Sequence, residues 1–363
     1  MTVGSAGIPA PGTPHVSTTR RTTGVVRRVV EVARAHEEGA WRWSARVAAV
    51  LPLAALVFAL TVLVIKAFPA IKVNGIGFLS RSTWNPGSGY GTTVHSHGVA
   101  HPAGSSYGAW PLIAGTLQTS VIALVIAVPI SIGGAFALTE RLPGWISRPL
   151  GLALEVLAGI PSVVIGLWGL LTLGPILAHD VYPILGDHMP DVPVLDYFRN
   201  PVGSGEGLLT AGIVLALMII PIVASTTRDL FTQVPPLPKE GGEALGMTDW
   251  EVANRVTIPW VRSGIIGATA LGLGRAIGET MAVALITGSI LGHTAANIYS
   301  PMSTIAATIL SQLDGAQTDG TGFAVATLAE LGLILAVMSV AVNVVARLIV
   351  ARTSGLAAPV GRA

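Results

Sequence analysis

Two ionisable residues, Arg275 and Glu279, lie four positions apart inside an apolar stretch at residues 263–290. A charged side chain at the centre of a bilayer costs roughly 2.5–3.5 kcal/mol on insertion scales, so such residues commonly mark a substrate pathway or a relay. Residues four apart share one helical face. A guanidinium offers a planar fork of donors to an oxyanion, and a carboxylate one turn away can hold it between substrates. The pair predicts an anion contact, with an inter-helix packing clamp as the alternative.

The composition places this pair in a polytopic membrane protein. Hydrophobic residues make up 51% of the chain and charged residues 11%, whereas a soluble domain carries about 25% charged residues. The absence of cysteine excludes disulfides and thiolate metal sites. A spanning helix needs about 20 apolar residues. We therefore predict an all-α integral membrane fold with six transmembrane helices, near residues 47–65, 113–138, 150–177, 208–224, 263–290 and 323–350.

The distribution of basic residues predicts the orientation. With the N-terminus in the cytoplasm, 16 of the 21 Lys and Arg residues fall in cytoplasmic segments and four fall in outer loops, as the positive-inside rule requires. We predict a cytoplasmic, partly disordered tail at 1–45, a six-helix transmembrane domain at 46–352 and a cytoplasmic tail at 353–363. The protein would then be a multi-pass component of a bacterial cytoplasmic membrane, with both termini in the cytoplasm.

Small residues and a proline predict how two of the spans pack. Small side chains recur every four positions from 270 to 282, a stripe that permits close contact between helices, so Arg275 and Glu279 should lie beside a helix interface. Pro161 should kink the third span. The stripe consists of Ala270, Gly274, Gly278 and Ala282.

The remaining polar residues give weaker signals. Three imidazoles in the first outer loop, at His95, His97 and His101, could meet at a metal, but no carboxylate is near and a plain solvated loop is the favoured interpretation. Glu155 and Glu330 lie in or near predicted spans, and their roles stay open. Basic residues border membrane segments without interleaved aromatic residues, which argues against nucleic-acid binding.

The cytoplasmic loop at 228–262 carries the second strong signal. A short helix is predicted at residues 240–245, and Gly246 should end it. Thr248 or Asp249 can cap a second helix, and Pro259 should start the next span. A helix–Gly–helix element held at the membrane is suited to dock in a groove of a soluble partner. An ordinary connecting loop is the alternative.

The same loop resembles the coupling loop of ABC-importer permeases. That pattern reads Glu-Ala-Ala, three residues, Gly, nine residues, Ile, one residue, Leu-Pro. Two glycines replace the two alanines here, Val replaces Ile, and Ile replaces Leu. Each glycine should lower helix propensity by about 1 kcal/mol relative to alanine. The resemblance assigns contact with an ATPase to Glu240, Gly241, Gly242, Glu243, Ala244, Gly246, Ile258 and Pro259.

Residues 274–283 are similar to a signature of the PstC family, the membrane subunits of bacterial phosphate importers. Segments at 78–79, 82–86, 107–109, 159–169 and 328–332 resemble that family too. The resemblance implies a type I ABC importer permease fold and transport of inorganic phosphate. It also places Arg275, Glu279 and Thr280 in the substrate pathway.

The resemblance implies partners as well. They are a PstA-like second permease subunit, a PstB-like ATPase dimer, a PstS-like phosphate receptor and the lipid bilayer. This chain would not be an enzyme and would hold no cofactor, since ATP and Mg²⁺ would bind the partner ATPase. The chain has three lysines, and none stands in a Gly-x-x-x-x-Gly-Lys-Ser/Thr loop. A permease for sulfate or molybdate, or an ATPase-independent secondary anion transporter, remains as an alternative.

Overall fold

The computed structural model describes residues 20–88, 92–188, 190, 192–199 and 204–354, with side chains except at 20–42, 193–195 and 353–354. The chain divides into two units, Met1–Thr61 and Val62–Ala363. In its described part the first unit is helical backbone from Arg20 onward. The start of the predicted N-terminal tail and most of the predicted C-terminal tail lie outside the described residues.

Helices make up most of the described structure. Six of them, or continuous runs of them, are long and apolar enough to cross a membrane, as the sequence predicts: Trp43–Asn74, Trp110–Arg141, Ser162–Asp187, Leu208–Thr232, Asp249–Gly278 and Phe323–Arg352. In chain order the helices are α1 (Arg20–Asn74), α2 (Trp110–Phe136), α3 (Gly144–Ala158), α4 (Ser162–Trp168), α5 (Gly174–Ile176), α6 (Tyr182–Asp187), α7 (Leu208–Thr232), α8 (Pro236–Ala244), α9 (Asp249–Val252), α10 (Ile258–Gly278), α11 (Met281–Ile286), α12 (Ile305–Gln317) and α13 (Phe323–Ser354). π-helical turns extend α2 to Arg141, connect α4 to α5, α5 to α6, and α9 to α10.

The third span begins later than predicted. The expected helix at 150–177 is two helices, because α3 ends at Ala158 and α4 starts at Ser162. Pro161 has an extended backbone, with φ −58° and ψ 135°. Its ring has no N–H to donate and disfavours helical geometry in the preceding residue. The predicted kink at Pro161 is therefore wrong, since the helix ends there and a new one begins.

α7 lies at the centre of the second unit. It is buried along most of its length, with α2 and α10 packed against it. Small side chains on the flanking helices, Ala123 on α2 and Ala268 on α10, contact its Leu215 and Ile219 in one buried cluster. Such small residues let helix backbones approach closely where apolar lipid supplies no hydrophobic driving force between helices.

The small-residue stripe predicted on the fifth span is not the one that packs against α7. A Cβ on Gly272 would lie 2.7 Å from Ile219 Cγ2, and one on Gly264 would lie 2.6 Å from Leu230 Cδ1. By contrast, a Cβ on Gly278 would meet no atom within 4 Å. The face of α10 that contacts α7 therefore carries the series Gly264, Ala268, Gly272 and Ala276, two positions away in register from the predicted stripe.

The segment between α1 and α2 forms two short ribbons where a plain loop was expected. The pairs are β1 (Trp84–Asn85) with β4 (Ser106–Tyr107), and β2 (Thr93–Ser96) with β3 (Val99–Pro102). His97 and Gly98 both have positive φ, 52° and 76°, which is the geometry of a two-residue type I′ hairpin turn.

The three histidines of this segment do not converge. His101 is buried, and its ring nitrogens contact Ser96 Oγ at 2.9 Å and Ser105 Oγ at 3.0 Å. His95 and His97 are exposed. Among the residues that the structure describes, no three His, Asp or Glu side chains are placed to hold a metal ion. His101 therefore has a structural role in this ribbon.

Candidate functional site

Contacts between α10 and α7 fix the depth of Arg275 in the bundle. The two helices run antiparallel, because Gly264 lies against Leu230 and Gly272 lies against Ile219. Arg275, one turn beyond Gly272, is therefore level with the middle of α7, which runs from Leu208 to Thr232. A charged group at mid-depth in a spanning bundle is a functional-site signal.

The face of α10 that carries Arg275 is exposed, with no neighbour packed on it among the described residues. Gly267, Leu271 and Arg275 follow one another at intervals of four, and all three are exposed. Leu271 is 59% exposed. Arg275 makes no ion pair within the described part of the chain. Its guanidinium is therefore open to contact by a group outside this chain.

Arg275 and Glu279 do not share a helical face, contrary to prediction. α10 ends at Gly278, and Glu279 takes an extended conformation with φ −72° and ψ 123°. This turn directs Glu279 away from the helical row, and the two side chains form no ion pair. The expected hold of Glu279 on the guanidinium is absent from this conformation.

Glu279 and Thr280 instead serve the backbone where the helix breaks. Glu279 Oε1 accepts a long hydrogen bond of 3.5 Å from the N–H of Ala282 at the start of α11. Thr280 Oγ1 donates to the carbonyl of Gly278 at 3.2 Å. Non-helical backbone at membrane depth is tolerated where protein or a water-filled cavity surrounds it. Discontinuous helices of this kind build the substrate sites of many transporters.

Two sequence motifs meet at this break. A Cβ on Gly166 of α4 would lie 2.7 Å from the Cα of Ala282. A Cβ on Gly169 would lie 2.8 Å from both Ile286 Cδ1 and Val214 Cγ2. The glycine-rich motif at 159–169 therefore makes room for α11, which follows the motif at 274–283. Together the two motifs hold a broken helix beside an open guanidinium.

Glu155 and Glu330 lie away from Arg275. Glu155 is exposed on α3. Glu330 is buried on the second turn of α13, where its Oε2 accepts a hydrogen bond of 2.8 Å from Asn74 Nδ2. Arg81 donates to the backbone carbonyl of Asn74 at 2.5 Å. Glu330 therefore helps to join the end of α1 to α13 in the second unit.

The coupling-loop segment folds largely as predicted. Gly246 has a φ of +80° and follows the end of α8, the position where glycine commonly terminates helices. Thr248 caps α9 in a capping box with Glu251, in which each side chain bonds the other residue's backbone N–H. α8 begins at Pro236, four residues before the predicted start.

Pro259 lies in the first turn of α10, as predicted, but the helical run that contains α10 begins earlier. α9, a π-helical turn at Ala253–Thr257 and α10 form a continuous helical run from Asp249 to Gly278. Proline is accommodated because its missing N–H falls next to the wider π turn. The residues after Gly246 are thus continuous in one helical run with Arg275.

Packing holds α8 against α9, and ion pairs hold both short helices against the end of α2. A Cβ on Gly242 would lie 3.2 Å from Val252 Cγ2, whereas one on Gly241 would meet nothing within 4 Å. Lys239 of α8 pairs with Glu140. Asp249 of α9 pairs with Arg141 at 2.8 Å. The two short helices are therefore tied to the π-helical end of α2.

The exposed surface of this segment contains apolar residues that sequence reasoning missed. Leu237, Leu245 and Trp250 are 76%, 80% and 61% exposed. The sequence does indicate these exposed residues, because large apolar side chains in a short polar loop do not belong to a membrane span. Of the predicted contact residues, Glu240, Gly241, Glu243, Ala244, Gly246 and Pro259 are exposed, Ile258 is half-buried and Gly242 is buried.

Comparisons with known proteins bear on this architecture. Residues 127–355 match the model of the family described as "Binding-protein-dependent transport system inner membrane component". "Phosphate transport system permease protein PstC 1" of Mycobacterium tuberculosis is 58% identical over 335 residues, which are 91% of this chain and 99% of that protein. "Phosphate transport system permease protein PstC" of Pasteurella multocida is 42% identical over 74% of this chain and 83% of its own length.

Solved structures are more distant. An inward-facing form of the MetNI methionine ABC transporter aligns with 68% of this chain and 94% of its own, at 14% identity and a TM-score of 0.46, a likeness too low to carry an argument. The family match and the six apolar helices confirm the predicted fold class of an all-α multi-pass membrane protein. The chain belongs to the family of binding-protein-dependent transport system inner membrane components, and within it to the PstC phosphate transport system permeases.

Proposed function

We propose that this chain is the membrane subunit through which an ATP-driven ABC importer moves inorganic phosphate into the cytoplasm. The observation that carries the proposal is Arg275, a guanidinium on an open face at mid-depth of the bundle, beside a broken helix. The relatives named as phosphate permeases, at 58% and 42% identity, supply the substrate class. None of the relatives compared above is a sulfate or molybdate permease.

Arg275 would act as a phosphate contact. Two of its N–H groups can bind two phosphate oxygens at once, and its positive charge compensates for part of the anion's lost hydration. Because Glu279 does not neutralise it in this conformation, the site is ready to accept an anion. The second permease subunit would face the open side of α10 and close the pathway around the substrate.

α8 and α9 would contact the ATPase. Their exposed Leu237, Leu245 and Trp250 supply apolar anchors, and apolar anchors inside a polar rim are typical of docking surfaces. Positive-inside asymmetry supports a cytoplasmic location for this end of the bundle, and both termini would lie on the same side. ATP and Mg²⁺ would bind the ATPase partner, so this chain would transmit movement without catalysing hydrolysis.

The test is phosphate uptake into proteoliposomes that contain the complete importer. Arg275→Gln removes the charge while keeping a similar length, and we expect uptake to fall at least about 30-fold, since a lost charged contact in a desolvated site typically costs 2–5 kcal/mol. Arg275→Lys keeps the charge without the fork and should retain a few per cent of uptake. Co-purification of the other subunits shows whether assembly is intact.

Uptake at the wild-type level in the Arg275→Gln complex would remove the assigned role. Sulfate and molybdate are the control substrates, and preferential uptake of either would favour the other-oxyanion permease. If the purified chain alone carried phosphate across liposomes without ATP, the ABC mechanism itself would be wrong.

A further inference from the structure

A cavity of about 240 Å³ lies at the end of the bundle opposite α8. It is enclosed by the first ribbon, the end of α12 and the start of α13. Aromatic and carboxylate groups face each other across it, and none of the residues that line it is basic. The residues used below are Trp84, Tyr107, Gly315, Thr318, Asp319 and Leu328.

Packed aromatic rings form one wall of this cavity. Trp84 and Tyr107 stack edge to face with ring centroids 5.0 Å apart, and Tyr107 also contacts Phe323 at 6.0 Å. Tyr107 is buried except for 3% of its surface. Aromatic faces carry negative quadrupole potential and attract a cation within about 6 Å.

The opposite wall is negative. Asp319 caps α13 and accepts hydrogen bonds from the N–H groups of Thr321 and Ala324, both at 2.9 Å. Burial alone would raise the pKa of Asp319, but these hydrogen bonds hold it below its usual value, so the carboxylate is ionised at neutral pH. Gly315 belongs to the last turn of α12 and Thr318 is its C-cap, where the helix dipole is negative.

Tyr107 stays neutral beside this charge. Burial and the nearby Asp319 carboxylate raise the pKa of Tyr107 to about 12, so the phenol keeps its proton. The cavity therefore presents a carboxylate, a helix C-terminus and two aromatic rings without a balancing cation among its lining residues. This chemistry repels phosphate and suits a guanidinium or ammonium group.

We propose that this cavity receives a Lys or Arg side chain of the extracytoplasmic binding protein when that protein docks to deliver substrate. The proposal rests on the proposed function, because a binding-protein-dependent importer must meet its binding protein at this end. The charge complementarity selects the occupant. A cationic side chain there would contact Asp319, which accepts a hydrogen bond from the first turn of α13, so docking would act directly on a spanning helix.

The test measures affinity of the substrate-loaded binding protein for the complete importer in nanodiscs, at low and high salt. Asp319→Asn keeps a capping oxygen for α13 while removing the charge, and we expect Kd to rise about tenfold with a weaker salt dependence. Asp314→Asn is the control, because Asp314 is an exposed carboxylate on α12 outside the cavity. Its Kd should change less than about twofold.

A second pair of variants tests whether the space in the cavity is needed and leaves its charge unchanged. Gly315→Leu places a side chain in open space at the cavity, since a Cβ there meets nothing within 4 Å, and it should also raise Kd about tenfold. Gly320→Leu is the control, equally free of contacts but outside the lining. Thermal unfolding of each complex checks that folding is retained.

The proposal holds only if Asp319→Asn and Gly315→Leu both weaken docking while both controls do not, and any other pattern overturns it. Equal losses from Asp319→Asn and Asp314→Asn, for example, would indicate long-range attraction without a specific pocket. If the wild-type importer neither binds the binding protein nor takes up phosphate, the proposed function fails, which is a distinguishable result.

Discussion

At the scale of single residues, the separation of Arg275 from Glu279 changes what each is expected to do. Arg275 projects from the open face of α10, whereas Glu279 lies in the break and bonds the start of α11. The carboxylate would then contribute to the shape of the break, and the guanidinium to anion binding. Mutation of the two residues should have separable effects.

We therefore predict that Glu279→Gln retains at least about a tenth of wild-type phosphate uptake, because the amide oxygen can still accept the bond from Ala282. Arg275→Gln should lose nearly all uptake. Uptake by the two single variants and the double variant forms a double-mutant cycle. Additive losses support separate roles, and strong coupling, beyond about 1 kcal/mol, would restore the salt-bridged pair originally expected from the sequence.

The two neighbouring glycines of α8, Gly241 and Gly242, should respond differently to replacement by alanine. Gly241→Ala should stabilise α8 by about 1 kcal/mol through helix propensity, because no atom lies within 4 Å of the new Cβ. Gly242→Ala should gain less, since its Cβ would lie 3.2 Å from Val252 Cγ2. Hydrogen exchange of α8 amides measures both effects. Equal protection in the two variants would contradict the packing of α8 on α9.

At the scale of elements, the face of α10 that meets α7 can be tested directly. Gly272→Val would drive a side chain into Ile219 and Val223, and such overpacking typically costs 1–3 kcal/mol. Gly267→Val is the matched control on the same helix, because nothing lies within 4 Å of its Cβ. We expect a clear fall in the thermal unfolding temperature for the Gly272 variant alone. A similar fall in both variants would contradict the close packing of Gly272 on α7, because valine has a higher helix propensity than glycine at both positions.

The small-residue stripe shows why this face was hard to predict. α10 carries small residues at two sets of four-residue intervals, and both sets satisfy the same sequence rule. Only the large residues of α7, such as Leu230 and Ile219, decide which set is needed for close approach. That information lies about 40 residues away in the sequence and depends on how two helices dock.

Local signals explain what could be predicted. Hydropathy gave the spans because each must cross the same apolar thickness, and Gly246 and Thr248 marked the ends of α8 and α9 through chemistry that acts within a few residues. The break at Glu279 escaped because apolar residues continue on both sides of it. Glycine commonly ends helices. Gly278 also belongs to the predicted small-residue stripe, so the sequence indicates a packing role equally well.

The cap of α9 yields a further prediction at this scale. Thr248→Ala removes the hydroxyl that accepts from the Glu251 N–H, and it should weaken the start of this helix by about 1 kcal/mol. Thr248→Ser keeps the hydroxyl and should be near neutral. Hydrogen exchange at Asp249–Val252 reports the change, and undiminished protection in Thr248→Ala would mean that the Arg141–Asp249 pair holds the helix without the cap.

At the scale of the whole molecule, the continuous helical run from Asp249 to Gly278 connects the surface proposed to contact the ATPase to Arg275. A displacement of α9 by an ATPase would be carried along this run to the level of the middle of α7. The ion pairs of Lys239 with Glu140 and of Arg141 with Asp249 tie the same elements to α2. Movement at the loop would therefore reach two spanning helices at once.

Gly246 joins α8 to this run, and its φ of +80° is a conformation that β-branched residues strongly disfavour. We predict that Gly246→Val reorients α8 relative to α9 and uncouples the importer, so that ATP hydrolysis continues while phosphate uptake falls at least about tenfold. Gly246→Asn is the control, because asparagine tolerates positive φ, and it should keep most of the uptake.

ATPase activity and uptake measured on the same proteoliposomes give the ratio of phosphate moved to ATP hydrolysed. An unchanged ratio in Gly246→Val would show that the junction between α8 and α9 does not transmit the ATPase movement, which would leave the Arg141–Asp249 contact as the route into the membrane.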